Sequence, residues 1–174
     1  MPKKKKDEEF PGFIKNKAAS GSVGLGKKVP NFKAATTADA PFDLKDYKGK
    51  KVVIYFYPKD HTPGCTTEGL DFTKNIKKFK NANTEVFGIS RESLDSHTKF
   101  IEKQTYKFDL LSDPDEVVCK LFDVIKEKSM YGKKYLGIER STFLIDEDGK
   151  LKQEWRKVKV PGHADEVLKA TKEA

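Results

Sequence analysis

Apolar and polar positions between residues 29 and 173 follow two different periods, and the switches between them mark the elements. The run KKVVIYFYP, residues 50–58, is continuously apolar after its lysines, rich in β-branched and aromatic residues, and closed by Pro58. That pattern predicts a central strand covered on both faces. Beyond Thr62 the period becomes helical: Phe72, Ile76 and Phe79 fall on one face with lysines between them. TEVFGIS (84–90) predicts another short strand, and SLDSHTKFIEKQ (93–104) an amphipathic helix opened by Ser93. FDLLSDPD (108–115) predicts a strand leading into a helix from about Pro114. STFLIDEDGKLKQEW (141–155) predicts a hairpin turning on Glu147, Asp148 and Gly149, the glycine supplying a left-handed conformation. HADEVLKA (163–170) is the last predicted helix.

The resulting order, βαβαβαββα, predicts an α/β protein with a mixed central sheet flanked by helices, the plan of a thioredoxin-like fold. A chain of 174 residues, 36% hydrophobic, suits one domain with a real core. Residues 29–174 are expected to form it. Residues 1–28, lysine-rich, then acidic, then rich in Gly, Ser and Ala, lack a sustained apolar period and predict a basic, disordered tail. The tail holds eight lysines against three acids, so it carries most of the net charge of +8 and the body is nearly balanced. Basicity therefore points to the tail and not to a nucleic-acid groove in the fold. No run approaches the roughly 18 apolar residues of a membrane span, and no charged-then-apolar leader opens the chain, which predicts a soluble intracellular protein without a membrane partner.

The chemistry concentrates in YFYPKDHTPGCTTEGLDF, residues 55–72. Pro58 ends the strand, placing the next residues at its carboxyl end, where α/β sheets carry their sites. Thr62 is suited to cap the next helix and Pro63 to occupy its first position, which puts Cys65 in the first turn. Unpaired backbone N–H groups and the positive end of the helix dipole favour negative charge on sulfur there, and Gly64 keeps the approach open. The residues alone leave the reaction undecided. A thiol-disulfide oxidoreductase would want a second cysteine close behind, but Thr66, Thr67 and Glu68 occupy those positions. A cysteine hydrolase would want a base from His61, His97 or His163. A metal site built on His61 and Cys65 lacks further ligands, so no metal is expected. Taken singly, Thr62 is also explained as a cap, Pro58 as a strand terminator and Arg140 as an edge charge or half of an ion pair. Glu68 fits a helix-surface acid as well as a hydrogen-bond partner for an active-site group, and stays outside the expected catalytic set. Trp155 and the tyrosines are expected to pack.

Pro58, Thr62 and Cys65 also match the Pro-x-x-x-Thr-x-x-Cys signature of peroxiredoxins. YPKDHTPGCTTE resembles the form found in the peroxiredoxin Q, or bacterioferritin comigratory protein, subfamily, and the likeness continues through LLSDPD, KKYLGIERSTFLID and VKVPGHADEVLKA. The resemblance implies a thioredoxin-fold thiol peroxidase acting on hydrogen peroxide and organic hydroperoxides, without cofactor. It implies that Cys65 is the peroxidatic thiolate that becomes a sulfenic acid. Thr62 would hold the peroxide through its hydroxyl, Arg140 would favour the thiolate and stabilise charge as the O–O bond breaks, and Pro58 would shield the sulfur from bulk water. The backbone N–H of Cys65 would donate to the substrate as well.

One departure matters. Many members of that subfamily carry a resolving cysteine five residues after the peroxidatic one, and here that position is Leu70. Either an external thiol such as thioredoxin, glutaredoxin or a glutathione-type molecule reduces the sulfenic acid, or Cys119 resolves it. Cys119 sits among Val117, Val118, Leu121 and Phe122, the setting of a small buried hydrophobe. In the tail, PKKKK resembles a nuclear-import signal, which predicts an import receptor as partner and a nuclear location, with the cytoplasm as alternative. A rival function class is a chromatin-associated redox protein whose tail makes weak phosphate contacts to DNA.

Overall fold

The computed structural model describes residues 22–174. The strands are β1 (Lys33–Thr36), β2 (Phe42–Asp43), β3 (Lys51–Phe56), β4 (Thr84–Ser90), β5 (Leu110–Ser112), β6 (Ile125–Met130), β7 (Lys133–Ile138), β8 (Ser141–Ile145) and β9 (Leu151–Trp155). The α-helices are α1 (Pro63–Lys74), α2 (Ile76–Asn81), α3 (Leu94–Gln104), α4 (Val117–Leu121) and α5 (His163–Glu173). Seven strands form one sheet in the order β2-β1-β5-β4-β3-β8-β9, and β6 pairs with β7 in a separate hairpin. β3, β4 and β5 are parallel neighbours, while β8 runs antiparallel to β3 and β1 antiparallel to β5. The sheet is therefore mixed, as expected, and β3 lies inside it with all six of its residues buried.

Alternation along β3 divides the core in two. Val52, Ile54 and Phe56 enter one cluster with Phe32, Phe87, Phe122 and Phe143, closed by α4. Val53, Tyr55 and Tyr57 enter the other, with Phe72 of α1, Phe79 of α2, Phe100 of α3 and Val167 of α5. Cys119 belongs to the first cluster and Cys65 to the second. A whole sheet separates the two sulfurs.

Five local expectations are corrected. The stripe Phe72, Ile76 and Phe79 is buried as one face but spans two helices, broken at Asn75. There the side-chain amide donates to Asp71 O at 3.0 Å and to Asp165 Oδ1 at 3.1 Å. The helix expected from Pro114 begins at Val117, because the Asp113 carboxylate accepts from the amides of Val118 (3.2 Å) and Cys119 (2.7 Å) and serves as its cap from outside. The β6–β7 hairpin is an addition to the expected order, since its strands are largely exposed and show no clear apolar alternation. The short strands β1 and β2 are additions too. Finally, part of the expected tail joins the domain: Gly26 N donates to Leu151 O at 2.8 Å, and Leu151 N to Lys27 O at 3.0 Å. These backbone bonds need no apolar side chains, so the composition of residues 23–28 conceals them. Residues 1–21 of the tail lie outside the described residues.

The hairpin of β8 and β9 turns as expected, with Gly149 at φ +81°. Its other end leads to the site, because Arg140 sits between the last residue of β7 and the first of β8.

Candidate active site

β3 delivers the chain to Pro58, a short connection crosses the sheet's carboxyl end, and α1 begins with Pro63, placing Cys65 in its first turn. The sulfur is almost wholly covered, Cys65 being 2% exposed. Arg140 reaches it from between β7 and β8: Nη2 lies 3.5 Å from Sγ. A Cβ on residue 64 would come within 3.2 Å of that same Nη2, so the glycine makes room for the guanidinium itself.

The other arm of the guanidinium is equally committed. Nη1 donates to Glu68 Oε1 at 2.6 Å. Cys65 and Glu68 stand three apart on one helix face, and the planar fork of Arg140 spans both, which a lysine's point charge would not do. Glu68 is 1% exposed, and its Oε2 has no hydrogen-bond partner among the described residues. Burial pushes its carboxyl up to about 7 against the opposing pull of Arg140. For Arg140, burial works against the charge, but the negative charges of Glu68 and Cys65 outweigh it and raise its pKa. Glu68 is thus the partner that aligns Arg140, a role to which its i, i+3 spacing from Cys65 is the one signal in the sequence.

Tyr106, expected only to pack, closes the site from the segment after α3. Its hydroxyl donates to Thr66 O at 2.9 Å and lies 3.3 Å from Cys65 O. Gly69 permits this, since a Cβ there would sit on the Tyr106 ring. No sequence spacing links residues 69 and 106, so the contact leaves no mark in the chain.

Thr62 occupies the N-cap position, with extended backbone angles, but its side chain does not cap the helix. Its hydroxyl donates to Lys59 O at 2.9 Å, which spends the proton and leaves the oxygen's lone pairs as acceptors. Pro58 is half-buried at the mouth of the same connection. The histidines are engaged elsewhere: His97 bonds to Asp60 and Leu111, His163 Nε2 to Thr142 Oγ1 at 2.7 Å, and the exposed His61 ring lies 4.9 Å from that of Phe100. A cysteine–histidine pair of the hydrolase type is therefore not assembled around Cys65. Trp155 packs edge-on against His163.

Cys119 is 0% exposed on the far side of the sheet. Its thiol is pushed well up by burial, and the neighbouring Asp113 adds to the effect. The structure does not bring it to Cys65. Leu70 is 41% exposed on the outer face of α1.

Residues 25–154 match the AhpC/TSA family. The chain is a peroxiredoxin of that family. Its relatives place it in the peroxiredoxin Q, or Bcp, branch. It is 54% identical over 146 residues to peroxiredoxin Bcp of Xanthomonas campestris, covering 79% of this chain and 91% of the relative. The Bacillus subtilis peroxiredoxin Bcp is 45% identical over 152 residues, covering 87% of this chain and 97% of the relative. Among solved structures, the Xanthomonas campestris bacterioferritin comigratory protein, studied for its alkyl peroxide reduction activity, superposes with a TM-score of 0.81 at 49% identity, covering 88% of this chain and 97% of the other. A cysteine-to-serine mutant of the Xylella fastidiosa PrxQ gives 0.82 at 44% identity, covering 88% and 98%. These neighbours share the thioredoxin fold expected from the element order.

Proposed function

We infer that in this peroxiredoxin, a thiol peroxidase, Cys65 is the group that attacks the hydroperoxide. The observation that carries the assignment is one guanidinium, locked by Glu68 at 2.6 Å and held 3.5 Å from the sulfur at a helix start. The Cys65 thiolate attacks one peroxide oxygen in line with the O–O bond. An S–O bond forms, the O–O bond breaks, sulfur is oxidised by two electrons, and the departing oxygen leaves as alkoxide or hydroxide and takes up a proton. Arg140 stabilises the thiolate beforehand and the charge that spreads over the two oxygens during transfer. Thr62 Oγ1, its own proton given to Lys59 O, is set to accept the hydroperoxide's O–H, and the first-turn amide of Cys65 is set to donate to the oxygen under attack. Pro58 limits water at the mouth.

The cycle we propose uses one cysteine. With Cys119 buried across the sheet, an external thiol attacks the sulfenic acid, releases water and forms a mixed disulfide, which a second thiol then opens. Thioredoxin, glutaredoxin and glutathione-type thiols are the candidate reductants. Replacing Cys65 by serine is expected to abolish peroxide consumption with any of them, while Cys119→Ser retains it. Consumption surviving Cys65→Ser would overturn the assignment.

Location is a separate proposal: the lysine run Lys3–Lys6 supports nuclear import through a receptor, and loss of nuclear accumulation in a lysine-to-alanine variant of that run is its test. The chromatin-associated alternative, with its weak DNA contact, gains no support from the family match.

A further inference from the structure

The connection from β3 to α1 is held from beneath by a buried polar group that the peroxide chemistry does not use. Asp60 lies next to Lys59 and His61, yet it is only 4% exposed, because its side chain turns inward toward α3. Its Oδ1 accepts from the Tyr57 hydroxyl at 2.7 Å. Its Oδ2 accepts from Ser96 Oγ at 2.7 Å and meets His97 Nδ1 at 2.7 Å. The opposite nitrogen, His97 Nε2, lies 2.9 Å from Leu111 O. The carbonyl of Leu111 only accepts, so Nε2 donates to it, while Nδ1 faces the Asp60 carboxylate. His97, 0% exposed, thereby ties the connection to α3 and β5 at once. Burial alone would raise the Asp60 carboxyl, but its bonds to His97, Tyr57 and Ser96 overcome this and hold it below the usual range.

A second contact fixes the peptide plane. Asp60 N donates to Glu92 Oε1 at 2.8 Å, and Ser90 Oγ donates to the same oxygen at 2.8 Å. The carbonyl of that same peptide, Lys59 O, receives the Thr62 hydroxyl at 2.9 Å. The orientation of one peptide therefore sets the orientation of the Thr62 oxygen. The next residue, His61, has φ +63°, a left-handed conformation that a non-glycine residue keeps only when its surroundings impose it.

We propose that Asp60, His97 and Glu92 are positioning residues for peroxide reduction, holding the Lys59–Asp60 peptide so that Thr62 Oγ1 is aimed at the hydroperoxide bound to Cys65. The proposal rests on the assignment of Cys65 as the attacking sulfur. Its test is a double-mutant cycle between Asp60→Asn and Thr62→Val, read as the second-order rate of Cys65 oxidation by hydrogen peroxide under single-turnover conditions. Asp60→Asn in the wild-type background is expected to lose about tenfold, the value of one well-made hydrogen bond. In the Thr62→Val background, where there is no hydroxyl left to aim, the same change is expected to cost little. Alkylation of Cys65 by iodoacetamide, which needs no threonine hydroxyl, is expected to keep its rate in every variant that folds. Equal losses in the two backgrounds, or no loss in either, would overturn the proposal. Should Asp60→Asn fail to fold, Glu92→Ala enters the same cycle, since it frees the same peptide while leaving the buried pair in place. Wild-type protein that leaves Cys65 unoxidised would instead sink the assignment of the sulfur, and the proposal with it.

Discussion

Replacing Arg140 by glutamine removes the cation from Cys65 while keeping donor groups of similar length. At 3.5 Å from Sγ, the direct attraction between guanidinium and thiolate is about 5 kcal/mol for an effective dielectric constant of about 20. Part of this is offset by the burial of both groups, so the kinetic cost is better judged from positioned donors at developing charge, where removing one costs about 2.7–4 kcal/mol, or roughly 10²–10³ in rate. We expect a loss of that size in the second-order rate of Cys65 oxidation, measured by rapid quenching against stoichiometric hydrogen peroxide and mass spectrometry of the Cys65 peptide. Arg140→Lys keeps the charge but cannot serve Sγ and Glu68 Oε1 together as a planar fork does, and is expected to fall between the two. The loss in Arg140→Gln should also be accompanied by lower stability, more so at pH 8 than at pH 6, because Glu68 would then be a buried carboxylate without its cation. Wild-type oxidation rates in Arg140→Gln would refute the reasoning, and so would a lysine variant as impaired as the glutamine one.

Three further outcomes are set by individual contacts. Glu68, raised by burial from 4.5 to about 7, keeps its proton in the folded protein over a range where the unfolded chain loses it. Stability contributed by this group is therefore full below pH 4.5 and falls as pH rises to 7, by on the order of 3 kcal/mol. Denaturant titrations at pH 5 and pH 8 should show that decline in wild type and a shallower one in Glu68→Gln, and parallel declines would contradict it. Gly69→Ala drives a methyl group into the Tyr106 ring and should cost about 1–3 kcal/mol of stability, seen as a lower Tm together with slower peroxide oxidation; an unchanged Tm would show that the ring moves freely. Cys119→Ser should leave turnover with a dithiol reductant unchanged, and the parent should form no internal disulfide, because the sheet keeps the two sulfurs apart; a Cys65–Cys119 crosslink after peroxide treatment would require the protein to open.

How much of this is legible in the chain depends on whether the signal is local. β3 announces itself because all its residues are buried, and α3 because Ser93 caps it, accepting from Ser96 N at 3.2 Å. Cys65 and Arg140 are marked by the family resemblance, and the structure brings them together. The features that escape are set by tertiary contact. Tyr106 and Gly69 meet across 37 positions of sequence, with no periodicity to connect them. The cap supplied by Asp113 lies outside its helix, so the proline three residues before Val117 is a misleading cue. Thr62 stands where a cap belongs, but its hydroxyl finds a carbonyl in its own connection instead of the helix amides. The inward turn of Asp60 is equally hidden, since a charged residue between a lysine and a histidine reads as solvated until its partners on α3 are seen.

The most direct measurement of the central claim is mass spectrometry of the intact protein and its peptides after one equivalent of hydrogen peroxide, with a sulfenic-acid trapping reagent present. We expect one added oxygen, or its trapped adduct, on the peptide that carries Cys65, with Cys119 unmodified and no internal disulfide. An unmodified Cys65 in protein that has consumed peroxide would contradict the account.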